Sequence, residues 1–233
     1  MIHVVAAAIV DGRGRVLIAQ RPPGKHLEGS WEFPGGKLES GESRRHGLAR
    51  ELLEEIGITF EHPRPLMRLR HCYPYGEVLL DVWVLRRWRG EPRSLDGQAL
   101  RWCPRSKLGA ADLLPADRPI ISALALPERL RRRQTRHYAL SEYASFMRDA
   151  ALGSPAASRE RGESAPLHGV LCGHLEEARA AVSRGARFIA LRGEHDSSEM
   201  ALLCESVPMP VYVRGMTLER AWDLGASGIY EGG

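Results

Sequence analysis

Residues Gly36 to Ile58 read GKLESGESRRHGLARELLEEIGI. Within them Glu51, Glu54 and Glu55 stand at i, i+3 and i+4, positions that share one face of an α-helix. Leu48, Leu52, Leu53 and Ile56 fall on another face, which is free to be buried. Ser43 suits an N-cap, and Gly57 suits the left-handed residue that ends a helix. The spacing therefore predicts a short amphipathic helix with an acidic stripe, entered through a Gly35-Gly36-Lys37 loop.

Like charges at this spacing repel by about a few tenths of a kcal/mol per pair. The plain reading of such a stripe is a solvated helix face. Against it, Arg44 and Arg45 are at hand in the first turn but lie off the stripe, and a glycine loop exposes backbone beside it. A hard divalent cation needs clustered carboxylates, and Mg²⁺ usually takes a few of them together with substrate phosphates. Metal binding is the favoured reading.

Working outward, the 233 residues allow one large or two modest domains. Hydrophobic content of 43% and charged content of 27% are those of an ordinary globular chain. The formal charge of +4 is only mildly basic. Part of that excess sits in Arg129, Arg131, Arg132, Arg133 and Arg136, so no stable nucleic-acid partner is implied. Cys72, Cys103, Cys172 and Cys204 are widely spaced without a CxxC pair, as expected of reduced thiols in the cytoplasm. The apolar start, Ile2 to Val10, lacks a basic flank and meets Asp11-Gly12 at once, so it reads as a strand and not a signal peptide. No apolar run is long enough to span a bilayer, and no membrane partner is expected.

Ile2 to Val10 and Val16 to Ala19, joined by Asp11-Gly12-Arg13-Gly14, read as a β-hairpin. Leu66 to Tyr73 and Val78 to Trp88 read as a pair around Pro74-Tyr75-Gly76. Leu100 to Pro104 is a further strand and Arg118 to Leu126 a closing helix. Strands interspersed with two helices predict an α/β layer arrangement.

Gly36, five residues, Glu42, seven residues, and then Arg50-Glu51-Leu52-Leu53-Glu54-Glu55-Ile56-Gly57-Ile58 resemble the Nudix box at every fixed position. The flanking sequence is similar to the MutT (8-oxo-dGTP diphosphatase) branch of that family, over roughly residues 2–128. The resemblance implies an α/β/α sandwich with a mixed sheet. It implies hydrolysis of a nucleoside triphosphate to a monophosphate and pyrophosphate, with Mg²⁺ or Mn²⁺ as cofactor. The role implied is the sanitising of oxidised nucleotides such as 8-oxo-dGTP, in the service of DNA repair.

Glu51, Glu54 and Glu55 are the candidate metal ligands, with the carbonyl of Gly36 as a fourth. Glu51 and Glu54 double as the catalytic carboxylates. Arg50 would orient one of them, or else be a surface ion pair. Asp96, in Ser94-Leu95-Asp96-Gly97-Gln98, stands where the resemblance places a later-loop glutamate, and is also a natural turn residue. Lys37 would offset phosphate charge. The resemblance brings Arg21 and Phe33 near the nucleotide, although Phe33 reads equally as a core aromatic. It also puts Asp117 where an asparagine reads the oxidised guanine edge. An amide both donates and accepts; an ionised carboxylate only accepts and would be repelled by O6.

Composition shifts at residues 153–166, GSPAASRERGESAP, which read as a linker. Beyond it, short apolar strands alternate with helical segments. Leu175-Glu176-Glu177-Ala178 leading to Gly185-Ala186 is echoed by Leu218-Glu219-Arg220-Ala221 leading to Gly225-Ala226. Such βα repeats imply a parallel sheet or part of a (β/α) barrel. Pro210 to Met216 resembles the seventh strand and phosphate turn of thiamine phosphate synthase, but with Arg214-Gly215 for two glycines and too few units for eight strands. The organisation expected is thus 1–128 as the Nudix domain, 129–166 as a basic helix and linker, and 167–233 as a truncated synthase-like partial barrel. Synthase activity is not expected of it; homodimerisation through it is. An alternative function is regulatory binding of a nucleotide or thiamine pyrophosphate, or hydrolysis of another diphosphate. The complete set of box glutamates favours the enzyme.

Overall fold

The computed structural model describes residues 1–131, 138–151, 166–193 and 195–232. The chain divides into two units, Met1–Ile121 and Ser122–Gly233.

The first unit carries β1 (Ile2–Ile9), β2 (Arg15–Gln20), β3 (Trp31–Glu32), β4 (Gly35–Lys37), α1 (Arg44–Ile56), β5 (Thr59–Phe60), β6 (Arg64–Tyr73), β7 (Gly76–Leu85), β8 (Trp88–Arg89) and β9 (Leu100–Pro104). It ends in 3₁₀ turns at Arg105–Ala110 and Pro115–Asp117 and the start of α2 (Arg118–Ala125). The central sheet has the order β4-β1-β7-β6 and is mixed: β1 runs parallel to β7, and the other pairs are antiparallel. A second sheet, β3-β2-β9, is antiparallel, and β5 pairs with β8.

The expected β1–β2 hairpin does not form. The turn itself is present, with Asp11 accepting from the backbone of Arg13 and Arg15 and from the Arg15 side chain. Only the bridge Val10–Val16 follows it, after which the strands diverge into different sheets. Both strands are buried runs: Val5 to Val10 and Val16 to Ala19 are at most 4% exposed. Continuous apolar runs of this kind mark strands covered on both faces, which recruit distant partners more readily than a turn neighbour.

α1 begins and ends as its sequence requires. The Ser43 hydroxyl accepts from the His46 amide at 3.3 Å, and Gly57 takes φ 70° with its N–H returned to the last turn. Leu48, Leu52 and Ile56 are fully buried with Val5, Ala7, Ile9 and Trp83 of the central sheet, each contributing about 1.5–3 kcal/mol. Leu53, expected on that face, is 52% exposed. It lies about 100° round the helix from Leu52, outside the stripe that meets the sheet. Arg44 is drawn away from the acidic stripe. With Arg68 it sits 3.0 Å from the buried carboxylate of Asp81, which His3 also bonds. These cations hold Asp81 below the usual carboxylate range despite its burial, and they tie the start of α1 to β7.

The second unit is a curled parallel sheet backed by helices. Its elements are β10 (Arg129–Leu130), β11 (Tyr138–Glu142), α3 (Tyr143–Ala151), β12 (Leu167–Cys172), α4 (Leu175–Ser183), β13 (Phe188–Leu191), α5 (Ser197–Ser206), β14 (Val211–Val213), α6 (Leu218–Asp223) and β15 (Gly228–Tyr230). The order is β10-β15-β14-β13-β12-β11, parallel throughout. Within the expected basic helix and linker, the described residues form β10, β11 and α3, which belong to this βα array. Leu130 is buried, and Arg129 and Arg131 pair with Glu231, about a hundred residues on. Both arginines stay exposed to solvent, so the pairing is at the surface and its partner is too distant in sequence to be read from the chain. Arg132, Arg133, Arg136 and all of the expected linker except Pro166 lie outside the described residues.

Alternate residues of each strand face the helices (Val170, Ile189, Leu191, Val211, Val213) or the inner side (Leu171, Phe188, Ala190, Tyr212, Tyr230). Aromatic rings fill that inner side: Phe188 meets Tyr138 and Tyr212 edge-on, with centroids 6.0 Å apart in both pairs. Gly169 makes room for them, because a Cβ there would fall 2.1 Å from the Phe188 ring. Gly169→Ala is expected to lower stability by about 1–3 kcal/mol, the usual cost of overpacking a rigid core, when unfolding of the second unit is followed with denaturant. Unchanged stability would mean that the ring has room to move.

Candidate active site

One cleft of about 620 Å³ opens in the first unit. Of the residues singled out in the sequence, it brings together Gly36, Glu51, Glu55, Asp96 and Lys37 with Arg21, Phe33 and Asp117. Arg50 and Glu54 stand beside it and are not part of its lining.

The acidic end depends on how closely α1 approaches β4. Gly35 and Gly36 pair with Ala6 and Val5 of β1. A Cβ on Gly35 would fall 2.1 Å from the Val5 carbonyl, and one on Gly36 would fall 2.1 Å from a carboxylate oxygen of Glu51. At Gly35 the obstacle is backbone, so only glycine fits there; at Gly36 a side chain would have to push the Glu51 carboxylate aside. Glu51 is thereby laid against the Gly36 backbone, while Glu55 accepts from the Gly35 N–H at 3.1 Å. Burial pushes the Glu55 carboxyl up to about 7, and the nearby Glu32 and Glu51 charges push the same way.

Glu54 is 60% exposed and reaches Arg50 at 3.2 Å, while Arg50 also holds Glu51 at 2.9 Å and Glu42 at 3.0 Å. Among the described residues no three His, Cys, Asp or Glu side chains converge closely enough to enclose an ion. The donor set nonetheless has the chemistry of a hard-cation site. It offers carboxylate oxygens and a backbone carbonyl at one end of a cleft, one carboxyl being destabilised by its acidic neighbours. Asp96 lines the cleft from an exposed turn, and Gln98 fixes that turn. The buried Gln98 amide accepts from Ser94 and the Asp96 N–H and donates to the Glu55 carbonyl, mooring the turn to the end of α1.

The other end is apolar and aromatic. Phe33 is 3% exposed yet lines the cleft, so it is at once core and wall. Its N–H donates to Asp117 Oδ2 at 3.1 Å. Asp117 is buried beneath the floor, and burial, reinforced by the Glu32 charge, pushes its carboxyl up to about 8. Arg21 does not neutralise it by contact. That guanidinium is engaged by the Glu32 carboxylate and by the His26 carbonyl at 2.7 Å, so Arg21 sets the loop at the mouth of the cleft. Lys37 lines the cleft and gives its carbonyl to Arg50 at 3.0 Å.

Sequence reasoning missed Glu32, Gln98, His26, Tyr73 and Tyr75. Tyr73 and Tyr75 stack with centroids 5.0 Å apart, and His26 meets Tyr75 edge-on at 4.7 Å, forming an aromatic rim. The only signal in the chain was the aromatic run His71-Cys72-Tyr73-Pro74-Tyr75 at a hairpin tip.

The profile of the NUDIX domain matches residues 5–123. Over 123 residues the chain is 34% identical to the 8-oxo-dGTP diphosphatase of Escherichia coli (strain K12), covering 53% of this chain and 95% of that protein. It is 38% identical over 123 residues to the CTP pyrophosphohydrolase of the same organism, covering 53% of this chain and 90% of the relative. A solved MutT structure, from work on Aliivibrio salmonicida and Vibrio cholerae, is 32% identical with a TM-score of 0.46, covering 53% of this chain and 95% of that one. With the box glutamates set at one end of a nucleotide-sized cleft, the chain belongs to the NUDIX family and is a Nudix pyrophosphohydrolase acting on nucleotides.

Proposed function

We propose that this enzyme is a Mg²⁺-dependent nucleoside triphosphate pyrophosphohydrolase that prefers oxidised guanine nucleotides and so sanitises the nucleotide pool. The observation that carries the reading is the state of Asp117. Read as an ionised carboxylate, it would repel O6 of a guanine. Buried, with one amide donor and no cation bonded to it among the described residues, its carboxyl is pushed up to about 8, which favours the neutral acid at pH 7. A neutral carboxyl both donates and accepts, as an amide does. It can donate to O6 while accepting from the N7–H that oxidation at C8 creates.

The residues divide the work along the cleft. Glu51, Glu54, Glu55 and the Gly36 carbonyl would hold the cation, with Asp96 approaching from the Gln98-moored turn. When bound, Mg²⁺ neutralises phosphate charge and lowers the pKa of a coordinated water. Lys37 adds a fixed positive charge beside the phosphates. Phe33 and the Tyr73–Tyr75 rim offer the base flat apolar faces, while the Arg21–Glu32 pair fixes the loop that carries His26.

The second unit is proposed to be a truncated relative of the thiamine phosphate synthase barrel that has no synthase activity. Six parallel strands and an inner side filled by aromatic rings support this. Self-association through this unit, and residence of the enzyme in the cytoplasm, belong to the same proposal.

Glu51→Gln and Glu54→Gln are each expected to lower kcat by about a hundredfold or more while circular dichroism stays native. Near-normal turnover in both would remove these side chains from the chemistry. In a panel of 8-oxo-dGTP, dGTP, CTP and thiamine diphosphate, 8-oxo-dGTP should give the highest kcat/KM. A better result with CTP would overturn the base assignment. The sign of the pH effect follows from the raised Asp117 value: below about 8 the carboxyl is neutral and can donate, and above it the donor is lost. The KM for 8-oxo-dGTP should therefore rise above pH 8 in the wild type but not in Asp117→Asn, whose amide does not titrate. Identical KM profiles would contradict the neutral-acid role.

A further inference from the structure

Arg50 presents five N–H groups, and the structure uses every one. Nε and Nη2 fork onto the two oxygens of Glu42 at 3.2 and 3.0 Å, and Nη2 also donates to the Lys37 carbonyl at 3.0 Å. Nη1 donates to Glu51 at 2.9 Å and to Glu54 at 3.2 Å. The guanidinium is thus divided. One half is anchored to Glu42 and the loop backbone; the other spans two carboxylates assigned above to the cation. Glu42 is itself fixed, accepting from the Glu39 N–H at 3.1 Å.

We infer that Arg50 is the resident counter-cation of the metal-free site. Its Nη1 edge holds Glu51 and Glu54 until a divalent ion displaces that edge alone, while the Glu42 fork keeps the rest of the guanidinium in place. The inference rests on the assignment of Glu51 and Glu54 as metal ligands. Carboxylates gathered with no cation among them repel one another, and a guanidinium cannot be discharged, so Arg50 neutralises them at every working pH. A compact divalent ion concentrates twice the charge on the same oxygens and wins them from a single nitrogen. The bidentate fork on Glu42 is the stronger arrangement and stays. Arg50 therefore opposes metal binding while sparing the empty site from self-repulsion. It is a positioning residue whose removal should tighten the metal.

The test uses the full chain and Mn²⁺ alone, with free Mn²⁺ read by electron paramagnetic resonance. Arg50→Gln is expected to bind Mn²⁺ roughly three- to tenfold more tightly than the wild type, the equivalent of about one hydrogen bond no longer broken. Equal or weaker binding would overturn the inference, because a merely structural role can only loosen the site. Should the variant fold poorly, the wild type carries the test. With ¹⁵N-labelled arginine, Mg²⁺ should alter the Arg50 Nη1 signals and leave Nε–H unchanged, whereas an unmoved Nη1 at saturating Mg²⁺ would contradict the exchange. A wild type that binds no Mn²⁺ removes the ligand assignment, and this proposal with it. Wild-type binding that the variant fails to improve removes only the role of Arg50.

Discussion

The site depends on the absence of two side chains. Because Gly35 and Gly36 have no Cβ, β4 can lie against β1 while α1 presses its acidic stripe onto the same strand. A methyl at either position would meet the Val5 carbonyl or the Glu51 carboxylate at about half a normal contact distance. Everything downstream follows from that approach: Glu51 rests on the Gly36 backbone, Glu55 takes the Gly35 amide, and both face one cleft. The buried leucine stripe of α1 and the anchoring of Arg44 on Asp81 hold the helix in place from the opposite side.

Charge is distributed along the cleft with a purpose that burial makes visible. At the Gly36 end, acids outnumber cations, and Arg50 is shared among Glu42, Glu51 and Glu54. Such an arrangement is unfavourable without an added positive charge and favourable with one. At the Phe33 end, the same excess of acid is handled differently. Burial pushes the Asp117 carboxyl up to about 8, while the Arg21–Glu32 pair holds a loop. Burial raises a carboxyl at each end of the cavity, Glu55 to about 7 and Asp117 to about 8, and the two differ in their neighbours: Glu55 lies beside Glu51, Asp117 under the Phe33 amide.

The helix and its caps could be read from the chain because local rules govern them. Ser43, Gly57 and the leucine spacing each state their role within a few residues. What the sequence hid was decided at a distance. The β1–β2 turn is present, but its strands are claimed by β7 and β9. The arginines at 129 and 131 are solvated, as a basic run suggests, but their pairing with Glu231 joins the two ends of the unit. Leu53 falls at the edge of the apolar stripe, and that edge is undefined until the sheet is in place. Glu32 and Gln98 carry no motif of their own, and their roles follow from which groups they meet. Asp117 was identified by position, but its protonation is a property of burial, which a linear chain does not display.

The account is tested most directly by a crystal structure of the full chain with Mn²⁺ and a non-hydrolysable analogue of 8-oxo-dGTP, located by anomalous scattering. It predicts a manganese peak bounded by the Glu51, Glu54 and Glu55 carboxylates and the Gly36 carbonyl, touching the phosphates, with the base against Phe33 and Asp117. A metal bound elsewhere, or a nucleotide lying with its base at the glutamates and its phosphates at Asp117, would contradict it.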